Sequence, residues 1–169
     1  MVYKKINDEV LYSDEQIVTV SASDLAFLKE AATHNVRKRI RLCTHTGVND
    51  KVHEMFIVHM KGAYVRPHKI LGKSESFQVL EGEVDVILYA DDGRLTRVIK
   101  MGDMASDKAF YYRLPESVFH TLRVRSEVVC FKEVTLGPFI SNGTIFAPWS
   151  PDQNDLSGVA KFLEKLNEA

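Results

Sequence analysis

From residue 52 to residue 136 the chain repeats one pattern: a short β-branched or aromatic run, then a turn signal. The runs are Val52–Met60, Phe77–Leu80, Val84–Tyr89, Leu95–Lys100, Phe110–Leu114, His120–Val124 and Val128–Leu136. Between them stand Glu81-Gly82-Glu83, Asp91-Asp92-Gly93, Met101-Gly102-Asp103 and a bend at Pro115. Strands this short, turning every eight to twelve residues or so, predict an all-β sandwich or barrel. Arg37–Thr46 joins the set by alternation, with Ile40, Leu42 and Thr44 on one face and Arg39, Arg41, Cys43 and His45 on the other.

The flanks read differently. Val10–Tyr12 and Ile17–Val20 predict short strands, and Ser21 or Ser23 caps a helix of about twelve residues that stops near Asn35. Gly137–Gln153 carries three prolines and two glycines and is expected to be irregular, with Phe139, Ile140, Phe146 and Trp149 needing burial. Leu156–Leu166 is helical, its stripe formed by Val159, Phe162, Leu163 and Leu166. The expected organisation is an N-terminal strand-and-helix extension over 1–36, a barrel over 37–152 and a C-terminal helix over 153–169.

Composition narrows the function classes. At 169 residues and 45% hydrophobic content the chain can bury a core. A net charge of −1 gives no global attraction to nucleic acid or to an anionic membrane. No run approaches the length of a membrane span, and MVYKKINDEVLY lacks an apolar leader, so a cytoplasmic location is expected. Cys43 and Cys130, far apart in apolar runs, read as reduced, buried thiols.

Chemistry concentrates in Gly62–Gly82 and in Leu114–His120. Residues two apart on a strand point the same way, so a His-x-His pair would chelate efficiently; here it has become His68-Lys69-Ile70. His68, Glu75 and His120 remain as a two-His, one-carboxylate set.

The spacing Gly62, His68, Ile70, Glu75, Gly82 resembles the first motif of the cupins, and Gly102 with Pro115-x-Ser117-x-x-His120 resembles the second, with Ser117 where a glycine is usual. Arg37-Lys38-Arg39-x-Arg41, Tyr64–His68, Gly72–Phe77, Phe110–Leu114 and Phe146–Trp149 look like the WbuC-type cupin metalloproteins, a resemblance covering roughly residues 35–152. It implies a mainly β, cupin (jelly-roll) β-barrel with an N-terminal and a short C-terminal helix. It also implies a mononuclear divalent metal (Fe, Mn, Zn or Ni), a homodimer, and an association with O-antigen and lipopolysaccharide biosynthesis. By the family's pattern the ligands are His68, residue 70, Glu75 and His120. Isoleucine cannot coordinate a metal, so the site is either a three-ligand centre or one that has lost tight metal binding.

Three classes follow. The first is a small-molecule-binding cupin with a degenerate metal site, acting on a sugar or nucleotide-sugar. The second is a metal-independent nucleotide-sugar isomerase or epimerase, with His68 or His120 as base and Tyr64 or Tyr112 as acid. The third is a non-catalytic ligand-binding regulatory module. Arg39, Arg41, Arg66, Phe77 and Arg113 are the candidate substrate contacts, guanidinium forks being suited to phosphate or carboxylate. His45, His53 and His59 lack ligand spacing and read as structural or surface residues. Trp149 reads as a packing anchor.

Overall fold

The computed structural model describes residues 2–115, 117–140 and 142–168; Glu116, inside the second motif, lies outside the described residues. The chain begins with a hairpin of β1 (Tyr3–Asn7) and β2 (Val10–Ser13). Helix α1 (Ala22–Thr33) follows, closed by a capping box in which the Ser21 hydroxyl accepts from the Asp24 N–H and the Asp24 carboxylate accepts from the Ser21 N–H. The strand expected at Ile17–Val20 does not form. Among the described residues no strand pairs with that segment, and β propensity without a partner does not make a strand.

Next come β3 (Arg39–Cys43), β4 (Val52–Met60), β5 (His68–Ile70), β6 (Glu75–Glu81), β7 (Glu83–Tyr89) and β8 (Leu95–Gly102). The series closes with β9 (Tyr111–Leu114), β10 (Phe119–Val124), β11 (Val128–Leu136), β12 (Thr144–Phe146) and α2 (Leu156–Glu168). One sheet runs β1-β2-β3-β4-β11-β6-β9 and the other β12-β5-β10-β7-β8. Every ladder between the named strands is antiparallel except β2 with β3, where Val10, Leu11 and Tyr12 lie opposite Arg41, Leu42 and Cys43. The hairpin of the N-terminal extension therefore continues the first sheet.

Period-two alternation decides what each face touches. Between the sheets, Met55, Phe77, Val86, Leu122 and Phe131 pack in one cluster. Ile40, Leu42, Val58 and Cys130 point the other way and are covered by Leu28 and Ala32 of α1. On the second sheet, Ile87, Tyr89 and Phe119 are covered by Leu166 of α2 and by Ala147. The Arg123–Asp85 pair, 2.7 Å apart and buried, holds α2 in place because the Arg123 guanidinium also donates to the Leu166 carbonyl. This is a mainly β, cupin-type jelly roll with one helix over each sheet, and both cysteines are free and buried.

The tail corrects two expectations. Within the segment expected to be irregular, β12 pairs with β5, setting Phe146 opposite His68. Phe139 and Ile140 are exposed, at 60% and 54%, because they run along the rim of an opening rather than across a closed barrel, and Phe146, 49% exposed, packs under Arg66. Trp149 is the packing anchor, its ring 4.9 Å from Tyr89 and its indole N–H donated to the Asp91 carbonyl.

Candidate functional site

The two motifs meet across both sheets. His68 and His120 are direct cross-strand partners on β5 and β10, with ring centroids 4.6 Å apart. Glu75 opens β6 in the facing sheet and brings Oε1 to 2.8 Å from His120 Nε2. The sequence orients both imidazoles locally: Nδ1 of His68 donates to the Arg66 carbonyl at 2.9 Å, and Nδ1 of His120 to the Val118 carbonyl at 3.0 Å. Each bond directs Nε2 away from the backbone. Ser117, at φ +49, makes the left-handed turn that sends β10 into the barrel, which is why a glycine suits that motif position.

Electrostatics separates the two histidines. Burial lowers the pKa of His68 to about 4, and the His120 charge beside it pushes the same way. Burial also opposes charge on His120, but the bond to Glu75 and its negative charge outweigh it and raise the pKa. Burial would raise Glu75, yet the His120 bond and charge bring it down. His68 is thus a neutral imidazole at neutral pH, beside a second imidazole that Glu75 biases towards its charged form. Tyr112 donates to Glu75 Oε1 at 3.3 Å, and its own ionisation is pushed well up by burial and by that carboxylate. Neutral base, hydrogen-bonded pair and phenol together can take up or deliver a proton.

A further acid escaped the sequence reading. Glu133 follows Val129 and Phe131 on β11 in the same inward phase, so the alternation marked it. Its carboxyl forms no hydrogen bond or ion pair among the described residues, and burial together with the Glu75 charge raises its pKa to about 7.

His68, Ile70 and Glu133 line a cavity of about 690 Å³, together with Arg41, the edge of the β1–β2 hairpin and the Phe139–Ile140 rim. Of the three clustered motif residues, only His68 lines it. His45 and His53 also line it, stacked at 4.2 Å and 3°, and both are buried, as is His59; none is a surface residue. The other candidates disperse. Arg39 turns into an adjoining cleft and pairs with Glu9 at 3.0 Å. Arg66 pairs with Asp152 at 2.7 Å and lies over the Phe146 ring. Arg113 is exposed on β9, and Phe77 is packed in the core against Tyr112 and Phe131. Tyr64 donates its hydroxyl to the Pro151 carbonyl at 2.8 Å, apart from the His–Glu cluster.

The donor set has the right chemistry for a divalent metal but not the arrangement. Among the described residues no group of three or more His, Cys, Asp or Glu side chains is placed to hold a metal ion. Glu75 Oε1 is engaged by His120 Nε2, and Ile70 supplies no donor atom.

A family model described as a domain of unknown function (DUF6016) matches residues 20–101. No curated protein matches the chain. Among solved structures, protein SO0799 from Shewanella oneidensis superposes with a TM-score of 0.50 at 11% identity, covering 73% of this chain and 78% of that one. Oxalate decarboxylase from Bacillus subtilis, solved in a study of its Mn(II) centres, gives 0.46 at 14% identity, covering 57% of this chain and 24% of that one. The cupin domain of Schizosaccharomyces pombe Cnp3 gives 0.45 at 14% identity, covering 59% of this chain and 64% of that one. The chain thus spans about a quarter of the decarboxylase it matches. These are likenesses of fold.

Proposed function

We propose that this protein is a small-molecule-binding cupin in which His68, backed by the His120–Glu75 pair, exchanges a proton with a ligand held in the cavity. The observation that supports it best is the placement of one neutral imidazole at the cavity wall, 4.6 Å from a second imidazole hydrogen-bonded to Glu75. Tyr112 is the better placed of the two candidate acids, since Tyr64 is engaged elsewhere. The substrate class is a nucleotide-linked keto-sugar of surface-polysaccharide metabolism; that part rests on the motif resemblance to WbuC-type cupins alone. Incubation with a panel of such sugars in D2O, followed by proton NMR, tests it. Exchange at a carbon beside the keto group, lost in a His68→Ala/His120→Ala double variant, is the expected result. Exchange that survives in the double variant overturns the roles given to the histidines. Binding without exchange favours the non-catalytic regulatory module instead.

A second reading is favoured by the Nδ1–carbonyl bonds, which leave both Nε2 atoms turned away from the backbone. His68, Glu75 and His120 would then hold a divalent metal once the His120–Glu75 bond opened, and the metal would supply Lewis-acid polarisation of a carbonyl or hydroxyl. The homodimer that the resemblance implies would use β1, the edge of the larger sheet, exposed along its length; sedimentation analysis tests it.

A further inference from the structure

A second cleft, of about 310 Å³, opens between the Asn7–Val10 turn and strands β3 and β4. Arg37, Arg39 and Arg41 line it, and Glu9 is the only acid among its lining residues. Glu9 is shared: one carboxylate faces Arg37 through Nε and Nη2 and Arg39 through Nε at 3.0 Å. Arg41 forms no ion pair among the described residues. Three guanidinium charges against one carboxylate leave two positive charges gathered in one concavity, and like charges brought together in a partly buried site repel unless an anion joins them.

The cleft also contains a polar group that the protein does not satisfy. His59 is 6% exposed, lines the cleft, and its Nδ1 has no hydrogen-bond partner among the described residues. A buried nitrogen left in that state costs roughly 1–3 kcal/mol. Burial, with the charge of Arg39 adding to it, holds its pKa down at about 3. It therefore stands as a neutral imidazole, able to offer an N–H without adding charge.

We infer that this cleft is an anion site for a phosphate group, gripped by the Arg37, Arg39 and Arg41 guanidiniums with His59 as a buried neutral donor. The charge left over matches a phosphate dianion rather than a monocarboxylate, and forked guanidiniums suit its tetrahedral oxygens. The cleft shares Asn7, Val10 and Arg41 with the larger cavity, so a phosphate ester seated here can extend its organic part towards His68. The site itself stands whether or not proton transfer occurs at His68.

Titration calorimetry at low salt, in a phosphate-free buffer, tests it with inorganic phosphate, malonate and glucose 1-phosphate as probes. Saturable phosphate binding is expected, weakened about tenfold or more in Arg41→Gln and Arg39→Gln and unchanged in Arg97→Gln, an exposed arginine of β8 outside both cavities. Arg41 is exposed and forms no ion pair among the described residues, so its variant reports on binding even if Arg39→Gln destabilises the fold. Glu9→Gln should tighten binding by removing the competing carboxylate. Tighter binding of glucose 1-phosphate than of phosphate, or equal binding of the two, upholds the site; the first identifies an ester as its occupant and the second free phosphate. Absence of saturation up to about 10 mM phosphate, malonate binding as well as phosphate, or phosphate affinity unchanged in Arg41→Gln overturns it.

Discussion

His120 Nε2 lies 2.8 Å from Glu75 Oε1, with the two side chains only 6% and 11% exposed. A pair this enclosed costs desolvation on both sides, and losing one member strands the other charge. Glu75→Gln or His120→Asn should therefore cost about 3 kcal/mol in urea unfolding, and the double variant should cost less than the sum of the two. Additive losses would mean that the pair is not coupled.

Glu133 should make stability depend on pH in a defined direction. Its carboxyl is raised to about 7 from an ordinary 4.5, so the native state holds the proton more tightly than the unfolded chain does. The stability linked to that proton is complete below about 4.5 and is lost as pH rises through about 7. Glu133→Gln keeps the neutral form at every pH and should be more stable than the parent at pH 8 by about 1–2 kcal/mol after allowance for solvent screening, with the gap closing near pH 5. Melting curves at the two pH values decide it.

Ser117→Gly should stabilise the protein by about 0.5–1 kcal/mol. At φ +49 a serine pays a left-handed penalty that glycine does not, and the exposed side chain gives up no packing. Ser117→Val should shift the urea midpoint the opposite way.

Gly82→Ala should be severe, about 3 kcal/mol or more. The residue sits at φ +85, and an added Cβ would stand 2.2 Å from the Val128 carbonyl oxygen and 2.6 Å from the Ser126 hydroxyl. Part of that contact is backbone, so the turn between β6 and β7 cannot relax around it. A midpoint within error of the parent would show that this approach is looser than it stands here.

Ile70→His should raise affinity for Mn(II) or Ni(II) about tenfold or more over the parent, measured by calorimetry and by elemental analysis of protein purified without chelator. Unchanged affinity would show that His68, Glu75 and His120 do not converge on a common metal position even with a fourth donor supplied.

Much of this could be read from the sequence because the chain alternates cleanly. Val128–Leu136 is a strand over the range its pattern marks, and Gly62, Gly82, Pro115 and Ser117 locate the turns that bring His68, Glu75 and His120 together. What escaped reading depends on partners. Ile17–Val20 has strand propensity but no ladder, and Phe139 and Ile140 look like core residues until the opening they border is known. Glu133 was accessible through its phase with Val129 and Phe131, but a glutamate next to Lys132 in a strand looks solvated until the opposite sheet is in place. The arginines were placed on one strand face correctly; that this face lines a cleft with His59 required the pairing of β3 with β4, where Arg39 stands opposite His59.

The β1–β2 hairpin has a divided attachment. Leu11 of β2 is buried under α1, whereas β1 shares a ladder with β2, sets the Tyr3 ring 5.3 Å from Phe27 of α1, is exposed at all five residues, and still supplies Lys4, Ile6 and Asn7 to the cavity wall. The wall of the chamber and the packing between the sheets therefore rest on separate contacts: β1 contributes to the first and lies outside the second. Substitutions at Lys4, Ile6 or Asn7 should change what the chamber binds while the melting temperature stays where the core sets it, whereas Tyr3 also carries a ring contact to Phe27 of α1.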